Sequence, residues 1–280
     1  MKNVRYEEDG VATAVGAIFA ILIFIFLLSL FITSYVPAEM KTYEEQYASG
    51  ITNDMMQFTS ALSMLSLNYN QGESVSVNFD LQSGYIPLFT TPTVGEMSLS
   101  SATQGGNGYI TVENSTMNVG AGGVLTIASN DRYFVDQSLT YEFSTIFYEQ
   151  VHTNPLINSS LQSDLIQVGP PVNGTINLSI NLFNLMGGPL NLSSLSSFGL
   201  SITAISRSST IMVGNFTLTY SSALGEQLYN TLKEELATIT DVSTGYTAEG
   251  GGLSQVSVNT DSIPILVTVS VVSVMLSVNG

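Results

Sequence analysis

Asp131, Asp136, Glu142 and Glu149 crowd into one stretch of the 280-residue chain. Two carboxyl groups facing each other across a sugar are the working parts of a glycosidase, one giving a proton and the other attacking or activating water. Carboxylates joined by backbone carbonyls can also hold Ca²⁺, but no loop motif for that ion surrounds them. In a stretch that alternates like a strand, the expected place for these four is a solvated edge or turn. The single histidine, His152, lies in "EQVHTNP" beside a Pro-containing turn. Without a partner motif it is expected to be a surface or hydrogen-bonded residue rather than a general base. Serines are so numerous that a Ser/His/Asp set can always be assembled on paper. G-x-S-x-G, H-E-x-x-H, a cysteine pair and a phosphate loop ending in Lys are all missing from the sequence. The expectation is a protein that is not an enzyme, with no cofactor and no metal site.

A second chemistry is better represented. Asn114, Asn158, Asn173, Asn177, Asn191 and Asn215 each begin an Asn-X-Ser/Thr acceptor for N-linked glycans. A chain this rich in Asn, Ser and Thr produces some of these by chance. Asn177 stands on the polar side of an alternating run, where a glycan would point to solvent.

Composition narrows the classes. The net charge is -16, yet charged residues make up only 10% of the chain, with six Lys and Arg and no Cys or Trp. A nucleic-acid partner needs a basic footprint, and none is present. Solubility comes from Ser, Thr and Asn, whose hydrogen bonding survives when carboxylates protonate, so tolerance of an acidic exterior is one expectation.

The elements that must carry these residues begin with an apolar run, "GVATAVGAIFAILIFIFLLSLFITSYVPA", free of charge from Gly10 to Ala38. A helix from Val11 to Val36 would be roughly 39 Å long, more than the ~30 Å hydrocarbon core. Lys2 and Arg5 precede the run and Lys41 follows it, which predicts a cytoplasmic N-terminus and an extracytoplasmic remainder. Ala12, Gly16 and Ala20 stack four apart and form a candidate helix-packing face. Beyond Pro37, a stripe of Tyr43, Tyr47, Ile51, Met55, Phe58, Leu62 and Leu65 predicts that the helix continues to about Ser66, kinked at the proline, with Glu44, Glu45, Gln46, Asn53, Asp54 and Gln57 on the opposite face.

From about residue 72 the period changes to two. "ESVSVNFD", "TINLSINLF", "NFTLTY" and "SQVSVNT" alternate, and strand-like runs recur near 109–112, 123–128, 140–149 and 200–206. "QGGNG", "GAGG", "GPPVNG", "MGGP" and "EGGG" read as the turns between them. "SSALGEQLYNTLKEEL" predicts one helix with Leu224, Leu228, Leu232 and Leu236 inward and Ser221 or Ser222 as cap. "IPILVTVSVVSVMLSV" is too rich in Val and Ser for a second span and predicts a long buried strand, or two. The fold class expected is α+β: a long N-terminal membrane-spanning helix, then an extracytoplasmic antiparallel β-sandwich-like domain with one further short helix. The divisions are a leader over 1–10, a span over 11–36, an amphipathic extension over 37–66 and a β-rich domain over 67–280.

"DGVATAVGAIFAILIFIFLLSLFI" resembles the N-terminus of archaeal type IV pilin-like proteins, where a membrane peptidase cuts behind a leader glycine. The resemblance implies cleavage between Gly10 and Val11. The family's leader ends in a basic residue plus Gly, whereas Glu7, Glu8 and Asp9 stand before Gly10. "VPAEMKTYEEQY…ITNDMMQFTSAL", "GYIPLFTTPTVGEMSL" and "LTYEFSTIFYEQ" are similar to segments of uncharacterised archaeal exported proteins sharing this anchor. The resemblance implies a membrane-anchored cell-surface subunit, structural or adhesive, whose partners are membrane lipid and itself or other pilin-like subunits. The alternatives are a signal-anchored surface binding module that does not assemble, an enzyme acting on envelope polysaccharide, and ordinary secretion with cleavage after "VPA" at Glu39.

Overall fold

A computed structural model describes residues 4–102, 106–150, 157–172, 174–193, 196–237, 242–249, 253–260 and 264–279; side chains are described from Thr13 onward within those spans, except at 157–159, 242–243, 248–249, 260 and 279. The chain opens as one unbroken helix: α1 (Val4–Leu30), a π-helical turn (Phe31–Tyr35) and α2 (Val36–Leu67). The irregularity expected at Pro37 lies just before it. Proline has no N–H to give and its ring crowds the carbonyl four residues back, so the wider π turn relieves the strain upstream.

The β domain follows as β1 (Ser74–Phe79), β2 (Glu96–Ser101), β3 (Tyr109–Glu113), β4 (Asn118–Ala128), β5 (Gln137–Glu142), β6 (Thr145–Gln150), β7 (Ile157–Ser163), β8 (Ile166–Val168), β9 (Ile176–Met186), β10 (Leu190–Ser193), β11 (Phe198–Val213) and β12 (Phe216–Ser221). Then come α3 (Gly225–Leu236), β13 (Val242–Glu249), β14 (Leu253–Thr260) and β15 (Ile265–Asn279). One sheet runs β1-β11-β15-β9-β8; the other runs β13-β14-β12-β3-β4-β5-β6-β7, with β2 on β4 and β10 on β2. The α+β class is as the sequence predicts: a long apolar helix, then a strand-rich domain of two sheets with one short helix.

Three details differ. β9 and β15 pair in parallel, from Ile176 with Ile265 to Met186 with Met275. A parallel pair needs a long crossover, and β10 to β14 supply it, so alternation within each strand could not reveal the direction. "GAGG" is not a turn but the middle of β4, where the partner changes from β3 at Gly122 to β2 at Gly123. A Cβ on Gly122 would strike the Gly108 carbonyl, and Gly123 holds φ +118; only glycine suits both. The run at 140–149 is two strands, folded at Phe143 and Ser144, whose φ values of 51° and 59° make a two-residue hairpin turn. Neither residue is the usual Asn or Gly. Burial of Phe143 and the 2.6 Å hydrogen bond from Ser144 Oγ to the Asn181 carbonyl offset the strain.

Two apolar clusters form. The first takes the α2 stripe, Tyr47, Ile51, Met55, Phe58, Leu62 and Leu65, against Phe79, Met97, Leu125 and Tyr141. Fully burying each aliphatic or aromatic side chain contributes about 1.5–3 kcal/mol. Tyr43, the first residue of the expected stripe, is only half-buried. The second cluster gathers Leu228, Leu232 and Leu236 of α3 with Phe147, Leu218 and Val256. The expected cap is absent from α3: Ser221 ends β12, and Ser222 Oγ accepts the Leu224 N–H at 2.9 Å in the turn before the helix. β15 is one strand of 15 residues, not two.

Candidate functional site: a bare apolar helix and its buried seat

The helix changes character along its length. From Thr13 to Tyr35 its apolar side chains, Phe19, Leu22, Phe24, Ile25 and Phe26 among them, stand largely clear of the rest of the protein. Its most apolar window has a mean hydropathy of 3.1 and no buried residue, so this helix is long and apolar enough to cross a membrane. Gly10, Val11 and Ala12 lie in the helical backbone of α1, with side chains outside the described residues. Gly16 has no atom within 4 Å of the place a Cβ would take, and Ala20 is exposed, so both are bare.

Burial begins at Val36 and Met40 and continues at Glu44, which is 0% exposed. This corrects the expected placement of Glu44 on the outer face. Its Oε1 accepts from Thr93 Oγ1 at 2.6 Å and the Arg132 N–H at 3.1 Å; its Oε2 accepts from the N–H groups of Tyr133 at 2.6 Å and Phe134 at 2.7 Å. Three consecutive N–H groups and a hydroxyl meet the lone pairs of one carboxylate, an arrangement that satisfies a charged acceptor away from water. Through it, α2 holds the β4–β5 loop and the segment before β2. Asn53 and Gln57 are exposed as expected, and Asp54 is half-buried, accepting the Asp80 N–H at 3.3 Å.

The four carboxylates do not gather into one site, although Asp131 and Asp136, in the same loop, are close enough to feel each other's charge. Asp131 lies near the seat, its carboxyl pushed up to about 7 by burial, partly offset by a 2.8 Å bond from Ser129 Oγ and reinforced by the charges of Glu44 and Asp136. Glu142 is elsewhere and is not a solvated edge residue: it is 3% exposed. Ser222 Oγ donates to its Oε2 at 2.6 Å, while Oε1 has no hydrogen-bond partner. Burial pushes this carboxyl up to about 7 despite the Ser222 bond. Glu149 is half-buried in β6, opposite Ser138. His152 falls outside the described residues. Among the described residues no three His, Cys, Asp or Glu side chains gather to hold a metal ion.

The acceptor asparagines sit in different places. Asn114 and Asn215 line one shallow recess of about 460 Å³ with Ser115 and Asn259. The Asn114 Oδ1 also accepts from the N–H and hydroxyl of Thr116, fixing the turn at this sequon. Asn191 is exposed on β10 beside a second recess of about 460 Å³, lined by Ser98, Ser100 and Ser101. Asn177 is half-buried on β9. Asn158 belongs to β7 with its side chain outside the described residues, and Asn173 lies outside them altogether.

Sequence reasoning missed the Glu44 seat, although stepping back from Tyr47 by three and then by fours meets Glu44, Met40 and Val36 on one face. No protein-family model, curated protein or solved structure matches this chain.

Proposed function

We propose that this chain is a non-enzymatic archaeal cell-surface protein, a pilin-like membrane-anchored subunit with a structural or adhesive role. The observation that carries the reading is the single helix, bare and apolar over its first half and clamped into the β domain over its second. A subunit whose anchor and domain share one rigid element can pass its position in an assembly directly to its surface. Burying the bare helix against lipid, or against copies of itself, would contribute about 25 cal/mol per Å² before association costs. Lys2 and Arg5 support a cytoplasmic N-terminus, with the β domain outside and glycans on some of its acceptor asparagines. Ordinary secretion with cleavage before Glu39 would cut the seat apart, because Val36 is already buried in it.

Mass spectrometry of the mature N-terminus from the native membrane tests the reading. Val11 is the expected start, and crosslinks between copies through cysteines placed at Gly16 or Ala20 are expected with it. Met1 without crosslinks would leave a lone anchored module. The Ser- and Asn-lined recess at Ser98–Ser101 and Asn191 favours that second reading, since such groups suit a glycan. Glu39 would remove both.

A further inference from the structure

The loop between β1 and β2 carries nine uncharged residues, "GYIPLFTTP", from Gly84 to Pro92. Its tip does not fold back onto the domain. Leu88 is 101% exposed and holds φ 71°, a left-handed backbone that a branched side chain seldom adopts. Tyr85 and Phe89 are also exposed, and Tyr133 stands nearby across a recess of about 360 Å³ shared with Leu88, Phe89 and Arg132. The turn around Leu88 is closed: the N–H groups of Phe89 and Thr90 donate to the Ile86 carbonyl at 3.1 and 3.0 Å, and the Ile86 N–H donates to Thr90 Oγ1 at 2.8 Å. The apolar tip is therefore presented by a built turn.

Its height is set by the helix. The Phe89 ring packs edge-on against Phe31 at 5.0 Å, and Phe31 stacks on Tyr35 at 4.9 Å. The charge-free run starts at Gly10, and a ~30 Å hydrocarbon core takes about 20 residues of helix, so on the anchor reading Phe31 to Tyr35 would lie where hydrocarbon gives way to headgroups. Aromatic rings belong at that depth, and a basic side chain beside them can reach a headgroup phosphate. Arg132, held by its Nη1 bond to Thr91 Oγ1 at 3.2 Å, is placed for this on a domain that is otherwise strongly acidic.

We propose that the tip formed by Tyr85, Leu88 and Phe89, with Tyr133 and Arg132 beside it, is a second membrane contact. It would dip into the outer lipid interface next to the helix and fix how the β domain stands on the bilayer. The inference rests on the membrane-anchor reading of the helix.

The chain has no cysteine, so single-cysteine variants of the full-length protein can each carry one fluorophore in vesicles containing a neutral and an anionic phospholipid. Leu88→Cys reports on the tip, Phe24→Cys on the span, and Ser115→Cys on a distant exposed turn. Quenching by nitroxide-bearing lipids is expected to be comparable at 88 and 24 and several-fold weaker at 115. Quenching at 24 but not at 88 overturns the proposal and leaves the anchor standing. Quenching at neither removes the anchor reading and the proposal together. Protection at 88 that grows with protein density rather than with lipid quencher overturns it in favour of a second copy covering the loop.

Discussion

Glu44 and Glu142 are both buried, at 0% and 3% exposure, and differently provided for. Glu44 receives four hydrogen bonds, three of them from consecutive backbone N–H groups. Glu142 receives one, from Ser222, and leaves an oxygen without a partner. Burying a carboxyl group carries a desolvation cost, and the donors waiting for it decide how much of that cost is offset. The first arrangement ties helix to domain. The second makes the domain sensitive to pH.

Removing Glu44 should expose the difference most strongly. Glu44→Ala leaves a hydroxyl and three part-buried N–H groups without their acceptor, and a loss of about 2–3 kcal/mol is expected in urea unfolding of the full chain in detergent. A loss below 1 kcal/mol would mean that the loop finds other acceptors and the seat is incidental. Glu142→Gln should do the reverse. Glu142 has an ordinary value of 4.5 and is raised to about 7 when folded, so the folded state binds its proton more tightly. Its contribution is fully present below pH 4.5 and is lost as pH rises through about 7. The parent protein is therefore expected to unfold at lower urea at pH 8 than at pH 5, and Glu142→Gln to narrow that gap. Asp131 and Glu235, both pushed up to about 7 with burial as the first cause, act with the same sign and keep part of it. This is the direction that tolerance of an acidic exterior requires. An equal or wider gap in the Gln variant would count against the assignment to Glu142. Ser222→Ala should have the smallest effect, about 1 kcal/mol at pH 8, and should move the fall in stability to higher pH because the bond that holds the Glu142 carboxyl down is gone. A shift to lower pH would contradict it.

The sequence makes these two sites hard to see. Periodicity finds a helix face by its apolar residues, and of the stripe it gives from Tyr43 to Leu65 all but the half-buried Tyr43 belong to the core. A charged residue inside such a face is read as its boundary, although Glu44 continues it. What fills the gap is the loop at 129–136, and nothing in its residue types announces that its N–H groups will turn inward. Glu142 was hidden in another way. With Phe143 and Ser144 as the turn, no Gly or Asn marks the hairpin, so the run reads as one strand and its middle as an edge. "GAGG" misled in the opposite direction, because glycine permits a sharp turn and also permits two backbones to touch. In the sequence the Tyr85–Phe89 tip is singled out only within a segment similar to other exported proteins; the contact of Phe89 with Phe31 is what gives it a height.

β9 and β15 are long enough to pass through both apolar clusters. β9 gives Ile176 to Leu182 to one and Phe183 and Leu185 to the other; β15 gives Ile265 to Val271 to one and Val272 to Leu276 to the other. β4 is divided in the same way, with Ala121 on one side of its paired glycines and Leu125 and Ile127 on the other. Neither cluster can loosen without pulling on strands that the other holds. The two clusters are therefore expected to unfold together, so that a tug at the domain's far end is felt at the helix rather than absorbed by the melting of one half.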